Sequence, residues 1–89
     1  MNEEKIYEKA IKKWGNTAQI LVAMEEMSEL TKVLLKHLRH PKNEEYFKKI
    51  SEEMVDVEIM INQLKVMFPN NNIEEIKNIK LARLEILTR

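Results

Sequence analysis

The sequence predicts an all-α fold, four helices forming one domain over residues 1–89, on three observations. One glycine, two prolines and an abundance of Glu, Lys, Leu, Ile and Met favour helix almost everywhere. The helix breakers mark off four segments with no linker, repeat or low-complexity tract between them. No segment alternates apolar and polar residues with the period of two that a half-buried strand requires.

The first segment, from Glu3 to Trp14, carries Ile6, Tyr7, Ala10, Ile11 and Trp14 on one side, and Gly15 follows where a left-handed cap would sit. Thr17 offers an N-cap for the second helix, which runs to about Leu38 and stops ahead of Pro41 because the residue before a proline is pushed out of helical conformation. Asn43 caps the third, with Glu44 and Glu45 in its first turn favoured by the helix dipole. That helix ends near Met67, before Pro69. Asn70, Asn71 and Asn72 make a turn, and Ile73, Ile76, Ile79 and Leu87 mark the expected inward stripe of a fourth helix.

Composition limits the function. With 15 basic and 15 acidic residues the formal charge is zero, so the footprint of a nucleic-acid or anionic-membrane binder is missing. No apolar run approaches the ~20 residues needed to span a bilayer, and there is neither a cysteine nor a secretory leader. The cytoplasm is the expected compartment, and Cys-ligated zinc or thiol chemistry is excluded.

Against this background the stretches AMEEMSELTK (Ala23–Lys32) and SEEMVDVEIM (Ser51–Met60) are unusual, because each sets carboxylates among apolar residues. At about 100° per residue, Ile20, Met24, Met27, Thr31, Leu34 and Leu38 fall in one arc of the second helix, the expected core stripe. Glu26 and Glu29 lie nearly opposite, in a row with Val22 and Val33. In the third helix Phe47, Ile50, Met54, Val57, Ile61 and Leu64 form one stripe, and Glu53, Asp56, Met60 and Met67 share another. The two acid pairs are also equidistant from Pro41. In an antiparallel hairpin they meet, roughly 20 Å from the turn at 1.5 Å per residue. Carboxylates at such range repel unless protons or a cation neutralise them, and oxygen-only ligation suits a hard ion, Mg²⁺ or Mn²⁺. The other reading of the same acids is a solvated helix face. A di-iron carboxylate site needs Glu-x-x-His, and neither His37 nor His40 follows a Glu by three residues. The methionines at stripe spacing read as core filler.

These residues carry a resemblance. EEMSEL followed by EEMVDVEIMINQL resembles the Glu-Glu-x-x-Glu … Glu-x-x-Asp signature of the MazG-like, all-α nucleoside triphosphate pyrophosphohydrolases, and WGNTAQ and KLARL are similar to stretches of small phage and Firmicute members. The resemblance implies a four-helix fold that forms a homodimer or homotetramer. It also implies hydrolysis of a (d)NTP between the α and β phosphates, giving a nucleoside monophosphate and pyrophosphate. Glu26, Glu29, Glu53 and Asp56 are then the Mg²⁺ ligands, and Glu25 binds or polarises the attacking water. Met60 stands where some members carry an aromatic residue.

For such a substrate, Lys36 on the flank of Glu29 and Lys80 and Arg83 within the apolar arc of the fourth helix are the candidate phosphate contacts. Snorkelling to the rim is the structural counterpart for the last two. Trp14 and Gln19 are candidates to frame the base by stacking and hydrogen bonding, or else to anchor the core. Each central helix has two buried-looking faces, so a second copy is expected to close the seams of Val22, Val33, Met60 and Met67. The alternative to the enzyme is a non-catalytic helical interaction module whose acidic seams pair with a basic partner.

Overall fold

A computed structural model describes residues 1–69 and 71–89 and is all-α. Its helices are α1 (Glu3–Trp14), α2 (Asn16–Arg39), α3 (Glu44–Met67) and α4 (Ile73–Leu87). Asn70, part of the expected asparagine turn, lies outside the described residues.

Local chemistry sets the boundaries. The Asn2 side chain accepts from the Lys5 N–H at 3.1 Å, and the Asn43 side chain accepts from the Glu45 N–H at 3.0 Å, so α1 and α3 begin on side-chain caps. Thr17 is not a cap; it lies inside the first turn of α2, which starts without a side-chain cap bond. Gly15 alone joins α1 to α2, at φ 90° and ψ 157°. Its φ is positive as expected, but its ψ lies far from the left-handed helix, in a region open to glycine. Its N–H donates to the Ile11 carbonyl at 2.8 Å, and its own carbonyl accepts from Gln19 at 3.1 Å. The left-handed helical conformation belongs instead to Asn72, φ 48° and ψ 41°, ahead of α4.

The long helices α2 and α3, 24 residues each, pack against one another as a hairpin, and α1 lies across both. The face that α2 turns to α3 is not the expected core stripe. Ala23 (1% exposed), Val33 (6%) and Met60 (5%) are buried, together with Gln19 and Gln63. Met24, Met27, Leu34 and Leu38 are exposed, as are Phe47, Met54 and Ile61 on α3. Of the seams expected to stay partly open until a second copy closed them, Val33 and Met60 are buried within the chain and Val22 and Met67 half-buried, while most of the more apolar stripe of α2 faces out. The reason lies in the buried residues themselves: small Ala23 and the Gln19–Gln63 pair let the helices approach on the face that also carries the acids.

Helix α4 corrects a second expectation. Among the described residues it packs against none of the other helices, and Ile73, Ile76, Ile79 and Leu87 are exposed. The radius of gyration is accordingly 16.0 Å, where a compact chain of this length has about 12 Å. The accessible surface is 7608 Å², where a compact protein of this mass has about 5500 Å².

Candidate metal centre

The register of the hairpin decides which side chains meet. Residues equidistant from Pro41 lie opposite one another: Val22 faces Met60, Glu26 faces Asp56, and Gln19 faces Gln63. The last pair is bonded, Gln19 Nε2 donating to Gln63 Oε1 at 2.7 Å, with Gln63 Nε2 3.6 Å from Met60 Sδ. On the other side of the acids, Val33 closes the interface.

Between these two layers, Glu26, Glu53 and Asp56 each offer a carboxylate oxygen, all within 4.8 Å of one another. Glu26 and Glu53 are half-buried and Asp56 is exposed. The Glu26 carboxyl is pushed above its ordinary value of 4.5, first by partial burial, then by the charges of Asp56 and Glu53 and by hydrogen bonding among the three groups. Glu53 Oε2 is buried and has no hydrogen-bond partner among the described residues. Such an oxygen carries a desolvation cost that a proton or a cation would offset. Oxygens bound to one Mg²⁺ at about 2.1 Å lie within about 4.2 Å of each other, so a small side-chain rotation fits this donor set to a hard divalent ion. Val22, Ile59 and Met60 join Glu26 and Asp56 in a hollow of about 170 Å³ beside the cluster.

The other expected site residues are placed as follows. Glu29 stands outside the three-acid group, exposed, its Oε1 accepting from Lys32 Nζ at 3.3 Å. Glu25 is exposed and also outside the group, with no ion pair among the described residues. Trp14 and Gln19 come together with Ala18 and Val22 around a hollow of about 350 Å³, with the Lys13 ammonium 5.3 Å from the indole ring. Lys36 lines a further hollow of about 170 Å³ that reaches Glu53. Lys80 and Arg83 are exposed on α4, which among the described residues packs against no helix that carries the acids.

Sequence reasoning missed Lys49 and Tyr46, which line the Lys36 hollow from α3. The signal was available, because Lys36 and Tyr46, and Val33 and Lys49, are also equidistant from Pro41. A hollow of about 600 Å³ lies between α1 and the end of α3, where Asn62 Nδ2 donates to Tyr7 Oη at 3.3 Å. Its Glu3, Glu4 and Glu8 repel phosphate, and it shares no residue with the acid cluster.

The chain matches no family model, no curated protein and no solved structure.

Proposed function

We propose that the protein hydrolyses nucleoside triphosphates at the α–β phosphate bond in a Mg²⁺-dependent reaction, releasing a nucleoside monophosphate and pyrophosphate in the cytoplasm. The observation that carries this reading is the meeting of Glu26, Glu53 and Asp56 on the hairpin, with a buried Glu53 oxygen left unpartnered. The resemblance of the two acidic stretches to MazG-like pyrophosphohydrolases agrees with it. Glu26, Glu53 and Asp56 would hold Mg²⁺ or Mn²⁺, and Glu29 joins them once it leaves Lys32. A divalent ion bound there supplies neutralisation of phosphate charge.

The chain's own residues supply position and proton transfer. Glu25 takes a proton from the attacking water, whose oxygen bonds to the α phosphorus. The bond from that phosphorus to the bridging oxygen breaks, and its electron pair leaves on pyrophosphate. Trp14 and Gln19 frame the base end. Gln19 also bonds Gln63, which fixes its amide ahead of substrate.

The working form in this proposal is a homodimer or homotetramer. Surface in excess of a compact chain, roughly 2000 Å², is of the size that obligate homodimers cover. Lys80 and Arg83 reach a nucleotide only across such a contact. The same exposed apolar surface favours the second reading, a non-catalytic interaction module.

A panel of NTPs and dNTPs with Mg²⁺, scored for pyrophosphate against orthophosphate, tests the enzyme. The expected result is pyrophosphate release that falls on the order of 100-fold or more in Glu53→Gln and Asp56→Asn, with helicity by circular dichroism unchanged. Unaltered Mg²⁺-dependent turnover in both amide variants eliminates the metal assignment, and no turnover of any nucleotide by the native chain leaves the interaction module.

A further inference from the structure

Three hollows lie in series along one flank of the α2–α3 hairpin. The Trp14 hollow shares Val22 with the small hollow beside the acids, and that one shares Glu26 and Asp56 with the carboxylate cluster. The cluster in turn shares Glu53 with the hollow of Lys32, Lys36, Lys49 and Tyr46. At 100° per residue, the α2 residues lining all three fall within an arc of about 140°, and the α3 residues span a similar arc, so the series is continuous on one side of the hairpin. Its chemistry changes in order. One end is aromatic and apolar with one amide, the middle is anionic, and the other end sets Lys32, Lys36 and Lys49 among Glu29, Glu52 and Glu53.

Resting on the pyrophosphohydrolase reading, we propose that this order fixes the direction of the substrate: the base lies toward Trp14, and Lys36 and Lys49 hold the β and γ phosphates, the leaving pyrophosphate. The lysine hollow carries three cations beside three carboxylates, Glu29, Glu52 and Glu53, two of which, Glu29 and Glu53, are proposed metal ligands; among the lysines only Lys32 is tied, to Glu29 at 3.3 Å. Lys36 and Lys49 have no ion-pair partner among the described residues. Lys32 and Lys36 stand roughly 9 and 15 Å along the helix axis from Glu26, and a lysine's flexible four-carbon stem shortens that reach further. When the bond from the α phosphorus to the bridging oxygen breaks, the electron pair stays on pyrophosphate. A new negative charge develops on that oxygen. Ammonium groups on that side stabilise it in the transition state, and their mobility suits a group that must then depart. The opposite direction would set the triphosphate tail against Trp14, Ala18 and Val22, a lining without a cation among the described residues, with Lys13 beside the indole.

The test uses the full chain with Mg²⁺ and two probes, inorganic pyrophosphate and the monophosphate of whichever nucleotide the native chain turns over best, with affinity read by calorimetry. Lys36→Gln/Lys49→Gln is expected to weaken pyrophosphate tenfold or more and to leave the monophosphate within twofold; Trp14→Ala is expected to do the reverse. Lys9→Gln/Lys12→Gln, exposed on α1, makes the same change in net charge away from the flank and is expected to leave pyrophosphate within twofold. If the native chain releases pyrophosphate and the Lys36/Lys49 variant binds it as tightly as the native chain, the direction is overturned while the reaction stands. Equal weakening by the two lysine pairs also overturns it, as unspecific charge attraction. If the native chain neither turns over a nucleotide nor binds pyrophosphate, both this inference and the reaction fall.

Discussion

The α2–α3 hairpin and α4 make opposite use of similar apolar content. The hairpin packs a mixed face, burying Gln19 and Gln63 with Ala23, Val33 and Met60 and half-burying Glu26 and Glu53. Helix α4 carries isoleucines and leucines at helical spacing and touches no other helix among the described residues. Apolar periodicity thus states that a face gains by being covered, at about 25 cal/mol per Å², without saying what covers it. The hairpin has an answer inside the chain because a short turn fixes its register. Helix α4 has none.

The largest effect is expected from breaking the cover on α4. Ile79 and Leu84 are exposed in the single chain, so Ile79→Glu/Leu84→Glu leaves the helicity of one copy intact. If a second copy covers them, the pair abolishes assembly: light scattering at micromolar concentration gives a single-chain mass where the native protein gives two or four, and turnover falls tenfold or more. A native protein that is fully active at the mass of one chain removes this expectation and sets α4 apart from the reaction.

A smaller effect sharpens the other side of the comparison. Gln63→Ala leaves the buried Gln19 amide without its 2.7 Å partner and costs about 1–3 kcal/mol in urea melts. Replacing both glutamines by leucine is expected to recover most of that loss, since no polar group is then stranded. Equal loss in the single and double variants would mean that packing shape, not the hydrogen bond, holds the hairpin there.

The smallest effect concerns pH. Glu26 binds its proton more tightly in the folded chain than at its ordinary value of 4.5, so its contribution to stability is fully present below 4.5 and is lost as pH rises through the raised value. Without divalent ions, the melting midpoint is expected to fall by a few degrees across that window, and Glu26→Gln removes the step. Mg²⁺ at neutral pH is expected to raise the midpoint of the native chain and not that of Asp56→Asn. A midpoint indifferent to Mg²⁺ would argue against cation binding by these acids.

The helices were legible because their ends are local. Gly15, Pro41, Asn43 and Pro69 act within a turn of where they stand. The meeting of Glu26 with Glu53 and Asp56 was legible too, since a hairpin mirrors the sequence about its turn. The packed face was not, because both stripes of α2 satisfy the helical period, and small Ala23 with two glutamines outweighed Met24, Met27 and Leu34 through closeness of approach rather than hydrophobicity. Lys49 escaped notice because a lysine in the first turns of a helix looks solvated until the opposite residue is considered. Glu29 was expected to converge with Glu26, Glu53 and Asp56, but it stays outside the three-acid group, lining a hollow with Glu53 and bonding Lys32 on its own helix. Pattern alone cannot rank a neighbour in the chain against a partner across the hairpin.

Gly15 gives the Trp14 hollow an unusual kind of tuning. With one residue between α1 and α2, the indole's place over Ala18 and Val22 depends on two torsion angles, φ 90° and ψ 157°. Nothing lies within 4 Å of where a methyl group on Gly15 would sit, so an alanine there meets no steric obstacle and opposes the fold through its backbone alone. Relaxing that torsion shifts α1, which also packs on α2 and α3, and carries Trp14 with it. The width of the hollow is therefore written partly in the main chain, and a change at Gly15 can alter it while every lining side chain keeps its identity.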